Sequence, residues 1–459
     1  MNYEAAVRYL LTLGRELAAP TQAAAAKFDL ENITVLAERL GRPDRAYPSA
    51  HIAGTNGKGS TAAFLESILR PAGFRTGLNT SPHLERINER IRMNGEEISD
   101  ESFARVFTRL QALIEELLAV HKLRAHPTYF ECVTAMALEC FARERVEFGI
   151  FEVGLGGRLD ATNILSPAVS IITRIDFDHE NFLGHSLKEI AGEKAGILKR
   201  GVPLILSPQQ PEAREVILAH ARELECPVRE TAELFRIDQE SKQDGRFHAR
   251  ATEVSSGASF HVSPSLAGRF QLENALSALA TARCLQEQGF RIPNEAIERG
   301  IASTVWPGRL EKLQSGPDVF LDGAHNPGAA RELALFLEQN FAGRKIWLLY
   351  GALRDKAVDE VAGQLFPHAA QVLITEPRTS RAISASRLAE IIAHHASDFT
   401  VVSAAEQALD LALSEAAPDD VIFITGSLYL VGQLRQYWKQ RAQSIETFRC
   451  RGSLPYSGL

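Results

Sequence analysis

The sequence predicts an α/β protein made of two units, and three observations support this. Apolar runs rich in β-branched residues alternate with helical patterns over almost the whole chain, which is typical of a parallel sheet covered by helices. The alternation stops at the segment STVWPGR, Ser303–Arg309, and then starts afresh. A chain of 459 residues has room for two large domains. We therefore predict an N-terminal domain over residues 1–303 and a smaller C-terminal α/β domain over residues 304–459.

In the first domain, short apolar runs predict buried strands, whereas amphipathic runs predict the helices between them. The strands are Ala50–Ala53, Arg75–Asn79, Phe148–Val153, Val169–Thr173 and Val202–Leu206. The helices are Ser60–Leu69, Thr128–Arg143, Ser186–Leu198, Pro211–Glu223, Phe270–Gln288 and Asn294–Ile301. Residues 228–264 differ, because short polar stretches containing Gly and Ser predict antiparallel hairpins there.

The second domain repeats the pattern on a smaller scale. Its predicted strands are Val319–Leu321, Ile346–Tyr350, Gln371–Ile374, Phe399–Val402 and Val421–Ile424. Its predicted helices are Pro327–Asn340, Asp355–Leu365, Ala385–Ala396, Ala404–Ala416 and Ser427–Gln440. Asn326 followed by Pro327 is a favourable helix start, because Asn caps a helix and Pro is tolerated at its first position.

Composition narrows the class of protein. The 50 Lys and Arg against 57 Asp and Glu give a net charge of −7, which argues against electrostatic binding to nucleic acid or to an anionic membrane. No apolar run is long enough to span a bilayer, and the N-terminus lacks the features of a signal peptide. The 5 cysteines are widely spaced without a CxxC pair, so we expect buried thiols rather than disulfides or a zinc site. A cytoplasmic enzyme is the expectation.

The strongest local motif is HIAGTNGKGSTAAFLESIL, which begins at His51. An apolar strand, a glycine-rich turn and an amphipathic helix follow in that order, and this arrangement points backbone N–H groups at an anion. Lys58 is placed to reach the outer phosphates of a nucleotide. The motif departs from the standard Walker pattern, because Ile52 and Gly59 stand where that pattern has a glycine and a hydroxyl. We predict a phosphate-binding loop.

Four further polar segments follow predicted strands, where the site of an α/β protein is expected. They are NTSPHLERINERI, FEVGLGGRLDATN, TRIDFDHENFLG and GEKAGILK. Glu152 ends an apolar strand, a costly position for a carboxylate unless a cation neutralises it. Taken alone, Glu152 fits a metal ligand or an ion-pair partner equally well, and Ser81 and His179 fit ordinary polar residues.

Together the motifs resemble the folylpolyglutamate synthase family, in the bacterial form that is also dihydrofolate synthase, within the Mur ligase superfamily. The resemblance rests on an ordered set over residues 51–329: HIAGTNGKGST, SPHLERINERI, TYFE, FEVGLGGRLDATN, DFDHENFLG, EKAGI, PGRLE and LDGAHNPGA. It implies an N-terminal P-loop ATPase domain, a Rossmann-like C-terminal domain and an active site between them. The implied reaction joins L-glutamate to a folate carboxyl group at the expense of ATP.

The resemblance also implies roles for individual residues. The ATP contacts would be Gly54, Thr55, Asn56, Gly57, Lys58, Gly59, Ser60, Asn274, Arg309 and Asp322. The Mg²⁺ ligands would be Ser81, Glu152 and His179, with a second ion helped by a carbamylated Lys194. The pterin-bearing substrate would meet Thr128, Tyr129, Phe130, Glu131, Leu159, Asp160 and Ala161. Lys58, Lys194 and His325 are the catalytic candidates. Asn274 lies in FQLENALSA, whereas the family often has small residues before the asparagine of its QxxN motif.

The expected partners are small molecules: dihydropteroate, folates and L-glutamate, with ATP and Mg²⁺. Nucleic acid and membranes are not expected, and we predict a monomer. TYFE favours activity on both dihydropteroate and folate. The alternatives are a monofunctional folylpolyglutamate synthase, a Mur ligase acting on a UDP-sugar peptide, and a P-loop NTPase switch. The motif EKAGI argues against the UDP-sugar enzyme, and the motif DGAHNP argues against a switch.

Overall fold

The computed structural model describes residues 1–13, 29–395 and 398–452, with the backbone alone over 444–452. It divides into two compact units, Met1–Trp306 and Pro307–Leu459. Each unit has its own sheet with helices packed on it. Within the part of the chain just defined, no helix is both long and apolar enough to cross a membrane.

The first unit is organised around an eight-stranded sheet in the order β4-β3-β2-β5-β1-β6-β7-β8. Its strands are β1 Ser49–Ala53, β2 Thr76–Asn79, β3 Ile91–Met93, β4 Glu96–Glu97, β5 Phe148–Glu152, β6 Val169–Ile172, β7 Leu204–Leu206 and β8 Val228–Glu230. The run from β2 to β8 is parallel, as predicted. The short strands β3 and β4 add an antiparallel edge that the sequence did not indicate.

Helices cover both faces of this sheet. They are α1 Tyr3–Thr12, α2 Glu31–Arg39, α3 Lys58–Leu69, α4 Asp100–Ala119, α5 Tyr129–Arg143, α6 Glu180–Leu183, α7 Leu187–Ala195, α8 Pro211–Glu223, α9 Thr231–Leu234, α10 Arg269–Glu287 and α11 Asn294–Ser303. Strand β5 shows why the strands read as continuous apolar runs, since Phe148 and Ile150 join one core and Phe151 joins the other.

Residues 228–264 contain the predicted antiparallel hairpins, with one difference. The strands β9 Phe235–Gln243, β10 Arg246–Glu253 and β11 Ser259–Val262 form a separate three-stranded sheet in the order β11-β10-β9. Residues 228–230, however, pair in parallel with β7 and form the edge strand of the large sheet. Alternation of buried and exposed residues along β10 matches a sheet with one covered face.

The second unit has a six-stranded sheet in the order β12-β13-β17-β14-β15-β16. Its strands are β12 Glu311–Gln314, β13 Asp318–Leu321, β14 Ile346–Tyr350, β15 Gln371–Glu376, β16 Thr400–Ala404 and β17 Val421–Thr425. All pairs are parallel except β12 with β13. Its helices are α12 Pro327–Phe341, α13 Val358–Leu365, α14 Ala385–Ile392, α15 Ala405–Glu415 and α16 Leu428–Gly452.

Two local details correct or complete the predicted elements. Helix α13 begins at Val358 rather than at Asp355, because Asp355 forms a 2.6 Å ion pair with Arg381 in the loop before the helix. Four cysteines, Cys132, Cys140, Cys226 and Cys284, are free and buried, as expected. The side chain of Cys450 lies outside the described residues.

Candidate functional site

Four neighbouring parallel strands, β2, β5, β1 and β6, end at the same edge of the large sheet. Ser81 follows β2, Glu152 ends β5, the glycine-rich loop Gly54–Ser60 follows β1, and the segment that contains His179 follows β6. The register pairs Ile52 of β1 with Glu152 of β5. Residues spread over more than a hundred positions of sequence are thus gathered at one edge.

The loop Gly54–Ser60, here called the phosphate loop, has a backbone that only glycine suits at two positions. Gly54 and Gly57 have φ angles of 147° and 91°. A Cβ atom at Gly54 would collide with the side chain of Thr173, and one at Gly57 would collide with Asn274. The second contact places Asn274, which is 8% exposed, directly against the phosphate loop.

Hydrogen bonds hold the phosphate loop to the segment after β6. The backbone N–H groups of Thr55 and Asn56 donate to the carbonyl of Arg174 at 3.0 and 3.2 Å. The Thr55 hydroxyl donates to the carbonyl of Asp176 at 2.9 Å. Helix α3 starts at Lys58 without a side-chain cap, so its first N–H groups are available at the loop. A helix start of this kind is a favourable place for an anion.

Two lysines meet at the phosphate loop. The Lys58 ammonium donates to the carbonyls of Gly54 and Thr55 at 3.0 and 3.2 Å. The Lys194 ammonium, from α7, donates to the same Gly54 carbonyl at 2.9 Å and is only 4% exposed. Together with the uncapped start of α3, the Lys58 side chain favours a phosphate group at this loop.

Beside this cationic region lies a carboxylate. Glu152 is 5% exposed, and its Oε2 accepts the backbone N–H of Ser81 at 3.0 Å. The Ser81 Oγ is buried with no hydrogen-bond partner among the described residues. A carboxylate next to an unsatisfied hydroxyl matches the oxygen ligands that Mg²⁺ prefers. His179, with a φ of 51°, precedes helix α6 at the same edge, and an imidazole is an unusual Mg²⁺ ligand.

Asp160 is buried and fully engaged in hydrogen bonds. Its Oδ2 accepts the N–H groups of Gly154 and Leu155, each at 2.9 Å. Its Oδ1 accepts the N–H and the hydroxyl of Thr162 at 3.0 and 2.5 Å. Burial raises the pKa of Asp160, and these hydrogen bonds oppose that rise. Asp160 therefore fixes the turn that follows Glu152.

His51 completes this buried network. Its Nε2 lies 2.7 Å from the Thr162 hydroxyl, which already donates to Asp160. The Thr162 oxygen must therefore accept, and His51 carries its proton on Nε2. Burial lowers the pKa of His51 to about 3, so the ring is neutral at physiological pH.

The TYFE segment borders the same turn. Thr128 and Glu131 form the capping box of α5, with the Thr128 N–H and hydroxyl both donating to Glu131 Oε2 at 2.8 Å. Burial raises the pKa of Glu131. The ring of Phe130 lies against Gly154, leaving no room for a Cβ there, and Tyr129 lies under the Arg90 guanidinium. Thr128–Glu131 and Leu159–Ala161 thus meet at Gly154.

The second unit contains the remaining candidates. Asp322 directly follows β13 and accepts the N–H groups of Leu310 and Ala324, each at 2.9 Å. Burial raises the pKa of Asp322, and the charge of Arg309 opposes that rise. The His325 Nδ1 lies 2.7 Å from the Gly323 carbonyl, and Asn326 caps α12 as predicted. Arg309, Asp322 and His325 therefore cluster around Gly323, which Arg309 also contacts.

Several residues at the site were not among the predicted site residues. Gln271 links Asn274 to Ser60, accepting from Asn274 at 3.0 Å and donating to Ser60 at 3.3 Å. The Trp306 indole packs 3.2 Å from where a Cβ of Gly59 would stand. Thr173 and Thr162 are isolated hydroxyls in apolar or turn segments. Only their contacts in the folded chain distinguish them from ordinary buried residues.

Parts of this chain match two known domain families, and most of the chain is similar to known proteins. The Mur ligase middle domain matches residues 52–282, and the Mur ligase glutamate ligase domain matches residues 308–428. Over 410 residues the chain is 37% identical to the dihydrofolate synthase/folylpolyglutamate synthase of Bacillus subtilis, covering 88% of this chain and 93% of that protein. Mycobacterium tuberculosis folylpolyglutamate synthase complexed with ADP gives a TM-score of 0.86 at 31% identity, covering 95% of this chain and 99% of that chain.

Escherichia coli FolC, solved with DHPP and ADP, gives a TM-score of 0.83 at 28% identity, covering 96% of this chain and 99% of that chain. The comparisons agree with the motifs read from the sequence. The chain matches two Mur ligase domains in order, has a relative at 37% identity, and shares its fold with solved structures. The chain belongs to the Mur ligase family, in its folylpolyglutamate synthase branch, and is an ATP-dependent ligase.

Proposed function

We propose that this protein adds L-glutamate to dihydropteroate and to tetrahydrofolate or its polyglutamates, with ATP and Mg²⁺. One observation carries the proposal. Lys58 and the buried Lys194 converge on the Gly54 carbonyl. At the neighbouring strand end, Glu152 accepts the Ser81 amide. An anion-binding loop beside a buried carboxylate suits a nucleotide triphosphate held with a divalent ion.

The chemistry follows from the poor leaving group of a carboxylate. Transfer of the γ-phosphoryl group of ATP to the substrate carboxylate gives an acyl phosphate and ADP. The amine of glutamate then attacks the acyl carbon, and the tetrahedral intermediate expels phosphate. Positioning of two anionic reactants and stabilisation of charge supply most of the rate in such reactions.

The residue roles in the first unit follow from the contacts described. Gly54–Ser60 would bind the ATP phosphates through backbone N–H groups, with Lys58 at the outer phosphates. Ser81, Glu152 and His179 would hold Mg²⁺, which when bound offsets charge on the phosphates. Lys194 would be carbamylated and assist a second ion. Its position supports this role, since the buried side-chain nitrogen lies 2.9 Å from the Gly54 carbonyl of the phosphate loop.

The remaining roles concern the two substrates. Thr128, Tyr129, Phe130, Glu131, Leu159, Asp160 and Ala161 would line the pterin pocket. Because Asp160 already accepts four hydrogen bonds, it would shape that pocket by fixing the turn. Asn274, Arg309 and Asp322 would contact ATP, with His325 as a further catalytic candidate. We propose a cytoplasmic monomer with domains over residues 1–303 and 304–459.

A substrate assay tests this function. The protein is mixed with ATP, Mg²⁺ and L-glutamate, and then with dihydropteroate or tetrahydrofolate, and phosphate release and product mass are measured. We expect phosphate and a product one glutamate heavier with each pterin. Product from tetrahydrofolate alone would indicate a monofunctional enzyme. ADP formed equally without either pterin would contradict the ligase proposal.

A further inference from the structure

A cluster of side chains that could ligate a metal lies in the second unit and includes none of the residues assigned above. Asp359 stands in the first turn of α13, and His394 and His395 follow the end of α14. Both imidazoles reach the same carboxylate oxygen, with Nε2 of His394 and of His395 lying 3.0 and 2.9 Å from Asp359 Oδ1. Among the described residues, this trio is the one group of three His, Cys, Asp or Glu side chains with ligand atoms all within 4.8 Å of one another.

The fold holds the two rings in this arrangement. Their centroids are 4.0 Å apart with an interplanar angle of 40°. The His395 ring packs over Gly363, where a Cβ atom would stand 3.0 Å from its Cε1. Glycine in a helix interior is less favourable than alanine, and here it leaves space for the ring. The backbone N–H of His395 also donates to the Ile392 carbonyl at 2.9 Å.

We propose that Asp359, His394 and His395 form a binding site for a divalent first-row transition metal such as Zn²⁺ or Co²⁺. Ligand atoms about 2.0–2.1 Å from one ion stand roughly 3 Å apart, the separation found here between each imidazole and the carboxylate. Two imidazoles and one carboxylate favour such metals over Mg²⁺, which prefers oxygen ligands. Water would complete the coordination, because the His394 side chain is 62% exposed.

Metal binding at this site should depend on pH. A metal ligand must be a neutral imidazole, so protonation of either ring competes with the ion. Around the cluster, Asp359 is the acid that faces both rings in the contacts described. Binding should therefore weaken as the solution becomes more acidic.

Titration with Co²⁺ tests the site, monitored by visible absorption with millimolar Mg²⁺ present to occupy oxygen-rich sites. We expect one Co²⁺ per chain, and at least about a tenfold loss of affinity in Asp359→Asn and in His395→Asn. The signal should persist in Glu152→Gln, which alters the proposed Mg²⁺ site. His368→Asn is the matched control and should bind like the wild type, since His368 pairs with Glu338 at 3.7 Å and is outside the cluster.

Three results would overturn the proposal: no stoichiometric Co²⁺ signal, equal affinity in wild type and Asp359→Asn, or loss of the signal in Glu152→Gln. Circular dichroism of each variant checks that it is folded. All of these readouts are independent of ligase turnover, so the site stands or falls separately from the proposed function.

Discussion

The phosphate loop and the turn over Glu152–Asp160, here called the acidic turn, follow adjacent parallel strands but are built in opposite ways. Backbone hydrogen bonds to Arg174 and two glycines shape the phosphate loop, where the side-chain nitrogens of Lys58 and Lys194 meet at the Gly54 carbonyl. A buried carboxylate, Asp160, shapes the acidic turn, which presents a second one, Glu152. The contrast teaches that one sheet edge can offer a cationic and an anionic half side by side. A nucleotide with its metal ion needs both.

The largest expected effect concerns the cationic half. Lys58→Ala removes the ammonium proposed to reach the outer phosphates of ATP, and we expect phosphate release to fall at least ~10³-fold. Lys188→Ala is the matched control, since Lys188 is an exposed lysine paired with Glu215. Steady-state phosphate release at saturating pterin measures both. Near wild-type turnover in Lys58→Ala would remove this lysine from the proposed site.

The next effect concerns the anionic half. Glu152→Gln keeps the shape but removes the charge, and we expect the Mg²⁺ concentration for half-maximal rate to rise by about 10- to 100-fold. Glu147→Gln is the control and should leave the Mg²⁺ titration unchanged. Glu147 directly precedes β5, and its side chain is 48% exposed. An unaltered Mg²⁺ dependence in Glu152→Gln would separate the acidic turn from the metal.

The third prediction concerns the pH dependence of stability that the buried His51, next to the acidic turn, causes. His51 has a folded pKa of about 3 against 6.5 for the ordinary group, so the unfolded chain binds more protons below pH 6.5. The neutral His51 therefore contributes to the free energy of unfolding above pH 6.5, and this contribution is lost as the pH falls towards 3. From pH 7 to 5 the wild type should lose about 2 kcal/mol more than His51→Gln. Amide-exchange protection of β1 at the two pH values measures this, and parallel losses would contradict a neutral His51.

The smallest expected effect concerns the Thr162 hydroxyl, which joins His51 to Asp160. Thr162→Val deletes that hydroxyl at constant shape, so we expect faster amide exchange at Gly154 and Leu155. We also expect about a tenfold loss in kcat/KM, or ~1.4 kcal/mol. Thr162→Ser restores the hydroxyl and should restore both readouts. Because Thr162 is 0% exposed, it cannot touch substrate. Unchanged exchange in Thr162→Val would mean that Asp160 fixes the turn without it.

Much of the fold could be predicted from local pattern. Pro211–Glu223 and Ile346–Tyr350 have the predicted bounds, since each is a strongly patterned segment with clear ends. Helix α4, Asp100–Ala119, was not predicted, although Ser99 caps it. Strand β12, Glu311–Gln314, was also missed, because its residues are half-exposed and its state depends on pairing with β13. Edge strands of this kind have weak local patterns.

The amino-acid sequence by itself determined the α/β class, the phosphate-loop motif and the ordered motifs of the family, because strand periodicity, glycine placement and residue order are local properties. Only the tertiary structure decided that Lys194 shares the Gly54 carbonyl with Lys58, that Asp160 is saturated by four donors, and that His394 and His395 meet Asp359. The first and the third depend on distances between residues far apart in the chain, whereas the donors to Asp160 lie within six residues of it and depend on the conformation of the turn. Those distances are set by the packing of whole strands and helices, not by any local pattern.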